Sequence, residues 1–388
     1  MIPLGLTADE QREFHLTLTR DHDIDVRVSL LDMDERHLGD MSGWLLAGQV
    51  VVDADEAVTR SCQITLLDPE GRAGVDSSNP AWSVWLDRMI SVSYGVWVES
   101  LGRWVRTPLF RGPITKASRD GAVLEIEALG KEHLLRNDGG IVKSYAAGVR
   151  RTTVIRDILQ RMGERNMVVP SWPARTSQAS VMPKLGAQSD PWPWIEKIAK
   201  SIRAQAFYDG AGTFRLRYAP TRTSWWWYES HLLSTPKISV DDAELVNTVW
   251  VKGQPPEGKK WVIEAHGSLP AWHHKSPESL GRRGVPRYVT EVVEDDSIRT
   301  VADAETARDR RLKEIIADDV TAEFECFPVP HLDPEDVGHL AWGDDPVSFR
   351  IRKFTVPLVA SESMSVGYAK RTKRRGIYAR RGRAKAKG

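Results

Sequence analysis

Between Gly43 and Leu135, apolar and polar side chains alternate with a period of two, in three runs broken by Gly, Pro and Asp. The runs are GWLLAGQVVVDADEAVTRSCQITLLDPEG (Gly43 to Gly71), RMISVSYGVWVESLGRWVRTPLFRGPIT (Arg88 to Thr115) and AVLEIEALGKEHLL (Ala122 to Leu135). Cys62, Ile64 and Leu66 fall on one face, and Ser61, Gln63 and Thr65 on the other. Ile90, Val92, Tyr94, Val96 and Val98 repeat the pattern, as do Leu124, Ile126 and Ala128 against Glu125 and Glu127. Val26, Val28 and Leu30 begin it earlier, in DIDVRVSLL. Successive side chains of a strand point to opposite faces, so such runs are half-buried strands of antiparallel sheets or small barrels.

After about residue 150 the period changes. TTVIRDILQRMGE places Val154, Ile155, Ile158, Leu159 and Met162 on one helical face, with Thr152 or Thr153 as cap and Gly163 as stop. A Pro/Ser/Gln-rich connector follows from Val169 to Ser189. Asp190 before Pro191 is the order of an N-cap and first helical residue, and Trp194, Ile195, Ile198, Ala199 and Ile202 form the next stripe. Asp209, Gly210 and Gly212 predict a hairpin turn before Phe214, Leu216 and Tyr218, which alternate with Arg215 and Arg217.

Strand texture returns in NTVWVKG, KKWVIEAHG, VTAEFECF and PVSFRIRKFTVPLVAS. In the last, the alternation slips by one residue between Ile351 and Phe354, which predicts a β-bulge. One helix interrupts, Thr300 to Asp319, with Asp309–Lys313 and Arg310–Glu314 spaced for an exposed face. The expected domains are an N-terminal β-barrel-like domain over 1–150, an α/β module over 151–230, a second β-barrel-like domain with one helix over 231–367, and a basic tail over 368–388. The fold class is mostly β with an α+β module: two small antiparallel β-barrel-like domains plus a helix–helix–hairpin unit.

The net charge of +1 over 388 residues conceals an asymmetry. Ten Lys or Arg and no acid lie between Lys370 and Lys387; taking those ten from +1 leaves −9 on residues 1 to 369. The tail is expected to stay disordered until a partner orders it. Its candidate partner-binding residues are Arg371, Lys373, Arg374, Arg375, Arg380, Arg381 and Arg383. They suit an acidic protein surface or nucleic-acid phosphates, the latter with a steep salt dependence; a solvated tail is the third reading. The first residues carry no basic segment followed by an apolar core, so no signal peptide is expected. No run of about 18 apolar residues exists, so no membrane span is expected, and the product should be soluble and made in a cytoplasm.

Fifteen Trp supply large, flat contact area at low entropic cost. Three are consecutive, Trp225, Trp226 and Trp227, within SWWWY. They cannot all face one side of a strand, so at least one is exposed or at an interface; inter-subunit or inter-domain packing, ordinary core and a sugar, lipid or receptor contact are the readings. Trp192 and Trp194 flank Pro193 and read as packing. Cys62 and Cys326 read as buried thiols, with a disulfide between them left open.

Candidate chemistry is thin. His273, His274 and Glu278 stand in a loop-like, Pro-rich context without HExxH spacing, which favours a solvated loop over zinc. Asp21, Asp23, Asp25, Asp53 and Asp55 lack the glycine and bidentate Glu of a calcium loop. GxSxG and the phosphate-binding GxxxxGK[ST] are absent. No catalytic, cofactor-binding or metal residue is assigned, and no cofactor is expected.

Five motifs occur in a fixed order: VVVDADEAVTRSCQITLLDPEG with Arg60 after its acidic loop, SYGVWV…RWVRTPLFRGPIT, ALGKEHLL, a helix followed by PWPWIEKIAKSIRAQAFYDGAGTFRLR, and NTVWVKG. Over about residues 43 to 365 this order resembles the baseplate or tail-tip hub proteins of tailed bacteriophages, the minor tail proteins. The resemblance implies two related small β-barrels and an α/β module. It implies a ring of subunits, most simply a trimer whose doubled barrels match a six-fold tail tube. Distal tail, tape-measure and tip or fibre proteins would be the partners, DNA would pass through the ring, and the location would be the virion. The resemblance does not rest on the triple tryptophan or the basic tail, which are not assigned to the family pattern. A six-fold distal tail adaptor ring is the alternative, and a tail-associated cell-wall hydrolase a further one; the latter needs paired carboxylates or a His-based constellation that the sequence does not display.

Overall fold

The computed structural model describes residues 1–75, 83–136, 145, 149–170, 190–202, 204–239, 245–253, 262–295, 298, 300–317, 320–343, 347–360 and 362–370. They form two compact units, one built from Met1–Pro236 and Glu323–Tyr368, the other described over Lys237–Ala322.

The first unit begins with α1 (Ala8–Thr17), which opens on a reciprocal cap. The Glu10 N–H donates to Thr7 Oγ1 at 3.3 Å, and the Thr7 N–H donates to Glu10 Oε2 at 2.9 Å. Strands β1 (Ile24–Asp32), β2 (His37–Asp40), β3 (Leu45–Asp53), β4 (Arg60–Leu67), β5 (Arg88–Val98), β6 (Arg103–Asp120) and β7 (Val123–Leu129) follow. Their faces are those the alternation predicts: Cys62, Ile64, Leu66, Val92, Val96, Leu124 and Ile126 are buried. The opposite face of β3, β4, β7 and β6 is polar. Gln49 pairs with Gln63 and Gln63 with Glu127 in register, and Lys116 Nζ reaches Glu127 Oε1 at 2.7 Å.

Strand β6 has eighteen residues and serves two neighbours. From Arg103 to Pro113 it pairs with β5; from Ile114 to Asp120 it pairs with β7. A register shift at Val92/Ser93 leaves Leu109 as the extra residue opposite them. At the hand-over stands Gly112, where a Cβ would lie 1.9 Å from the carbonyl oxygen of Leu129. Only glycine admits that approach.

Helix α2 (Arg151–Arg161) ends in a Schellman motif: the Gly163 N–H donates to the Gln160 carbonyl at 3.1 Å, and the Glu164 N–H to the Leu159 carbonyl at 2.9 Å. Gly163 takes φ +82°, as its predicted role as a stop requires. The predicted threonine cap is corrected: the N-cap is Arg150 without a side-chain bond, and Thr152 is buried inside the helix. After β8 (Met167–Val168), α3 (Pro191–Ser201) starts on Asp190, whose Oδ1 accepts from the Trp192 N–H at 3.2 Å. The stripe it buries centres on Trp192 rather than Trp194, two residues nearer the cap, where the ring meets Tyr208 at 6.0 Å and Phe214 at 6.3 Å. Strands β9 (Ala204–Tyr208) and β10 (Phe214–Tyr218) form the predicted hairpin. Asp209 Oδ1 accepts from the N–H groups of Ala211 and Thr213, both at 3.0 Å. The helix–helix–hairpin unit thus has its own core, with Ile155, Ile158, Leu159, Ile195 and Ile198 under the aromatic residues.

Strand β11 (Thr223–Tyr228) carries the three tryptophans. The second unit follows, with β12 (Lys237–Ser239), β13 (Thr248–Gly253), β14 (Ile263–Ser268), β15 (Thr290–Asp295) and α4 (Val301–Ala317). A sheet ordered β14-β13-β15 lays Val249, Val251, Ile263 and Ala265 against Ala304 and Ile315 of α4. Its outer face carries Trp250, which stacks on His266 at 4.7 Å and lies 4.1 Å beneath the Lys252 ammonium.

Strands β16 (Val320–Cys326), β17 (Val337–Ala341), β18 (Val347–Pro357) and β19 (Met364–Lys370) complete the element order. The long sheet runs β2-β1-β5-β6-β7-β4-β3-β18-β19-β16, with β17 on β18 and β11 on β17. The class is therefore mostly β with helices, as expected, but the sheets are open paths rather than closed barrels. They are also not wholly antiparallel, since β11 runs parallel to β17 and β13 parallel to β15. The slip in β18 has a structural cause. Phe349 and Ile351 are buried, then Phe354 and Val356, and between them the strand passes from β17 to β3. Arg350 is the last residue of β18 paired with β17 and Lys353 the first paired with β3, so a change of partner coincides with the slip.

Candidate functional site

Within β11 the alternation divides the three tryptophans. Trp225 and Trp227 are 5% and 1% exposed, whereas Trp226 is 48% exposed and Tyr228 50%. The side on which each lies follows from the parallel register with β17, where Trp226 stands beside His339 and Trp227 beside Leu340. Trp227 stacks on Phe349 at 5.9 Å and meets Phe324 edge-on at 5.3 Å. Gly338 makes room for this stack, because a Cβ there would lie 2.7 Å from both Phe349 and Trp227. Trp225 meets His15 of α1 at 4.9 Å and His331 at 5.6 Å, both edge-on. Two of the three rings are thus core, and one is surface.

On the outer face, Trp226 covers His339 at 4.0 Å between ring centroids, and His339 Nδ1 lies 2.9 Å from Ser348 Oγ on β18. Tyr228 meets His231 edge-on at 5.3 Å, and the Tyr228 N–H donates to His231 Nδ1 at 3.3 Å. The result is an aromatic stripe on a strand whose only ladder partner among the described residues is β17. An exposed Trp and Tyr two residues apart on such a strand offer contact area to another chain. Of the candidate residues that the structure describes, Trp226 alone is exposed enough for a contact outside the molecule. Arg371, Lys373, Arg374, Arg375, Arg380, Arg381 and Arg383 lie outside the described residues.

Beneath this strand, the wholly buried loop from Pro328 to Asp336 is held by charge. Arg60 donates from Nε to the Tyr208 carbonyl at 3.3 Å, from Nη1 to the Leu109 carbonyl at 3.1 Å and from Nη2 to Asp333 Oδ1 at 3.0 Å. Arg217 reaches the Pro334 carbonyl at 2.8 Å and Asp333 Oδ2 at 3.4 Å. A buried loop needs such donors for carbonyls that no ladder satisfies. A second buried cation, Lys131, binds Glu35 Oε1 and Glu164 Oε2, each at 2.6 Å, beside the Tyr208 ring. Burial draws the Glu35 carboxyl upward, but Lys131 and Arg111 outweigh it and hold the group below its ordinary value. Burial raises Glu132, whose Oε1 accepts from the Tyr208 N–H at 3.2 Å. These carboxylates brace the β-structure from within. Sequence reasoning placed Arg60 in a motif but missed this role, for which a lone arginine gives no signal.

Cys62 and Cys326 are separate buried thiols. Burial pushes Cys62 far up and Cys326 to about 12. His273 is buried rather than solvated, with Nδ1 accepting from the Lys275 N–H at 3.2 Å and its ring stacked on His274 at 4.7 Å. Among the described residues no three His, Cys, Asp or Glu side chains gather where a metal could bind, and no helix is long and apolar enough to cross a membrane.

No family model and no curated protein matches the sequence. Solved structures do match. The 43 kDa tail protein of prophage MuSo2 from Shewanella oneidensis superposes with a TM-score of 0.61, over 89% of this chain and 98% of that one, at 10% identity. The tail protein from Neisseria meningitidis MC58 gives 0.57 over 88% and 95%, also at 10% identity. The chain has the fold of phage tail proteins. The prophage tail protein gp18 from Listeria monocytogenes EGD-e agrees, with a TM-score of 0.52 over 92% and 97% at 9% identity. At such identities what is shared with these tail proteins is the path of the backbone; side-chain roles come from this chain's own geometry.

Proposed function

We propose that the chain is a structural, non-enzymatic subunit of a phage tail tip or baseplate hub. It assembles as a ring, most simply a trimer, that joins the tail tube to the host-facing tip and lets DNA pass during ejection. The observation that carries this reading is the match to tail proteins along nearly the whole of both chains. The exposed Trp226–Tyr228 stripe supports it as a surface for a neighbouring subunit. Distal tail, tape-measure and tip or fibre proteins are the neighbours, and the basic residues from Arg371 to Arg383 reach an acidic one. A ring that passes DNA must keep unpaired cationic side chains out of its lumen, since a polyanion slides through.

Native mass measurement of the purified protein, together with electron microscopy of particles carrying a labelled copy, tests the reading. Three copies at the tail tip are expected. Six copies would transfer the assignment to the distal adaptor ring. A strictly monomeric protein, with intact tail tips in particles lacking it, would overturn the proposal.

A further inference from the structure

Helix α1 is fastened to the β-structure through a pair of histidines. His15 Nε2 and His331 Nε2 are 3.2 Å apart, with the rings stacked at 5.1 Å. Both rings lean edge-on against Trp225, and Phe14 packs against His331 at 5.3 Å. His331 is 1% exposed, and its Nδ1 is buried without a hydrogen-bond partner. A bond between two Nε2 atoms needs one N–H and one lone pair. It therefore exists only while at least one ring is neutral.

We propose that this histidine pair is an acid-sensitive latch, which holds α1 on Trp225 at neutral pH and lets the helix leave when both rings are protonated. Two protonated rings would place two N–H donors and two like charges 3.2 Å apart against the rings of Phe14 and Trp225, with no acceptor between the two nitrogens. Burial draws both histidines below the ordinary value of 6.5, and His331 is lowered further by His15 and by the Met1 amino group. The folded state thus binds these protons more weakly than the free segment. The docking energy is complete above about pH 6.5 and declines as pH falls toward the folded values.

Other charged groups lie near the latch. On the buried loop, Asp333 and Asp336 face Arg60, Arg217 and the Met1 amino group. At the start of α1, Glu10 pairs with Arg103 of β6 at 2.6 Å. Among the described residues none of these carboxylates hydrogen-bonds a nitrogen of either histidine, so they do not supply the acceptor the doubly protonated pair lacks. A ten-residue helix is marginal in water, so release of α1 means loss of its helical hydrogen bonds.

Amide hydrogen exchange on the full chain tests the latch, with rates corrected for intrinsic pH dependence. Between about pH 7.5 and pH 5, protection of Ala8–Leu18 should drop about tenfold more than that of β5. His15→Gln keeps a neutral hydrogen-bonding side chain at the half-buried position, and His331→Phe fills the buried one; each should abolish the excess drop. His15→Gln keeps the test open even where His331→Phe folds poorly. Equal protection of α1 and β5 at both pH values, or an excess drop that persists in His15→Gln, would overturn the proposal.

Discussion

Arg60 and Asp333 are 273 residues apart in sequence and 3.0 Å apart in space. Both are buried, and the same guanidinium also closes the carbonyls of Tyr208 and Leu109, so one side chain joins β4, β6, the β9 hairpin and the loop before β17. Removing it takes from Asp333 its shortest ion pair, leaving a longer one to Arg217, and takes the arginine donor from two interior carbonyls. Arg60→Met should cost about 3–5 kcal/mol in a urea unfolding curve, whereas Arg60→Met with Asp333→Leu should recover part of that loss.

Gly112→Ala is expected to be more damaging than an ordinary glycine substitution in a strand. The new Cβ meets main-chain oxygen rather than a movable side chain, so β6 must shift at the point where it changes partners. A loss of about 3 kcal/mol or more, or failure to fold, is the expected result by circular dichroism; Gly102→Ala, in an open turn, should cost about 1 kcal/mol.

The two faces of the tryptophan strand should separate stability from assembly. Trp227→Ala empties a core position against Phe324 and Phe349 and should lower stability by about 3–5 kcal/mol. Trp226→Ser should change monomer stability by under about 1 kcal/mol while weakening self-association, read by analytical ultracentrifugation.

Glu35 sets part of the acid limit. Its folded value lies below the ordinary 4.5, so its contribution is in place above that pH and is lost as pH falls through the folded value. Glu35→Gln should lower stability at neutral pH and flatten the unfolding midpoint against pH below about 4.5.

The thiols report on opening. Cys62 and Cys326 are buried and hard to ionise, so an aromatic disulfide reagent at about pH 8 should label neither in the native protein and both in denaturant. Rapid native labelling would contradict the burial.

The strands were legible because Cys62, Ile64 and Leu66, or Ile90 to Val98, repeat a local period that the pleat enforces. Asp190 and Gly163 were legible because a cap and a stop act on bonds within a few residues. Trp192 was not: Trp192 and Trp194 both fit an apolar stripe, and the hairpin packed against the helix decides between them. Nor was the change of partner in β18, since a one-residue slip looks the same whether it comes from a bulge or from a switch between neighbours. At the candidate site the sequence required that the tryptophans divide between two faces but not which would be exposed. The parallel pairing with β17 settles that for Trp226. Arg60, His15 and His331 act through partners far along the chain, beyond the reach of any local pattern.

The first unit draws on Met1–Pro236 and Glu323–Tyr368, and this has a consequence for biosynthesis. A nascent chain that has emerged through β11 has β3 without β18, β11 without β17 and Arg60 without Asp333. Each is an open strand edge or an unneutralised buried charge until the closing strands leave the ribosome. Truncation before Val337 should therefore yield an aggregating product rather than a smaller folded one, and any assembly partner must wait for a completed polypeptide.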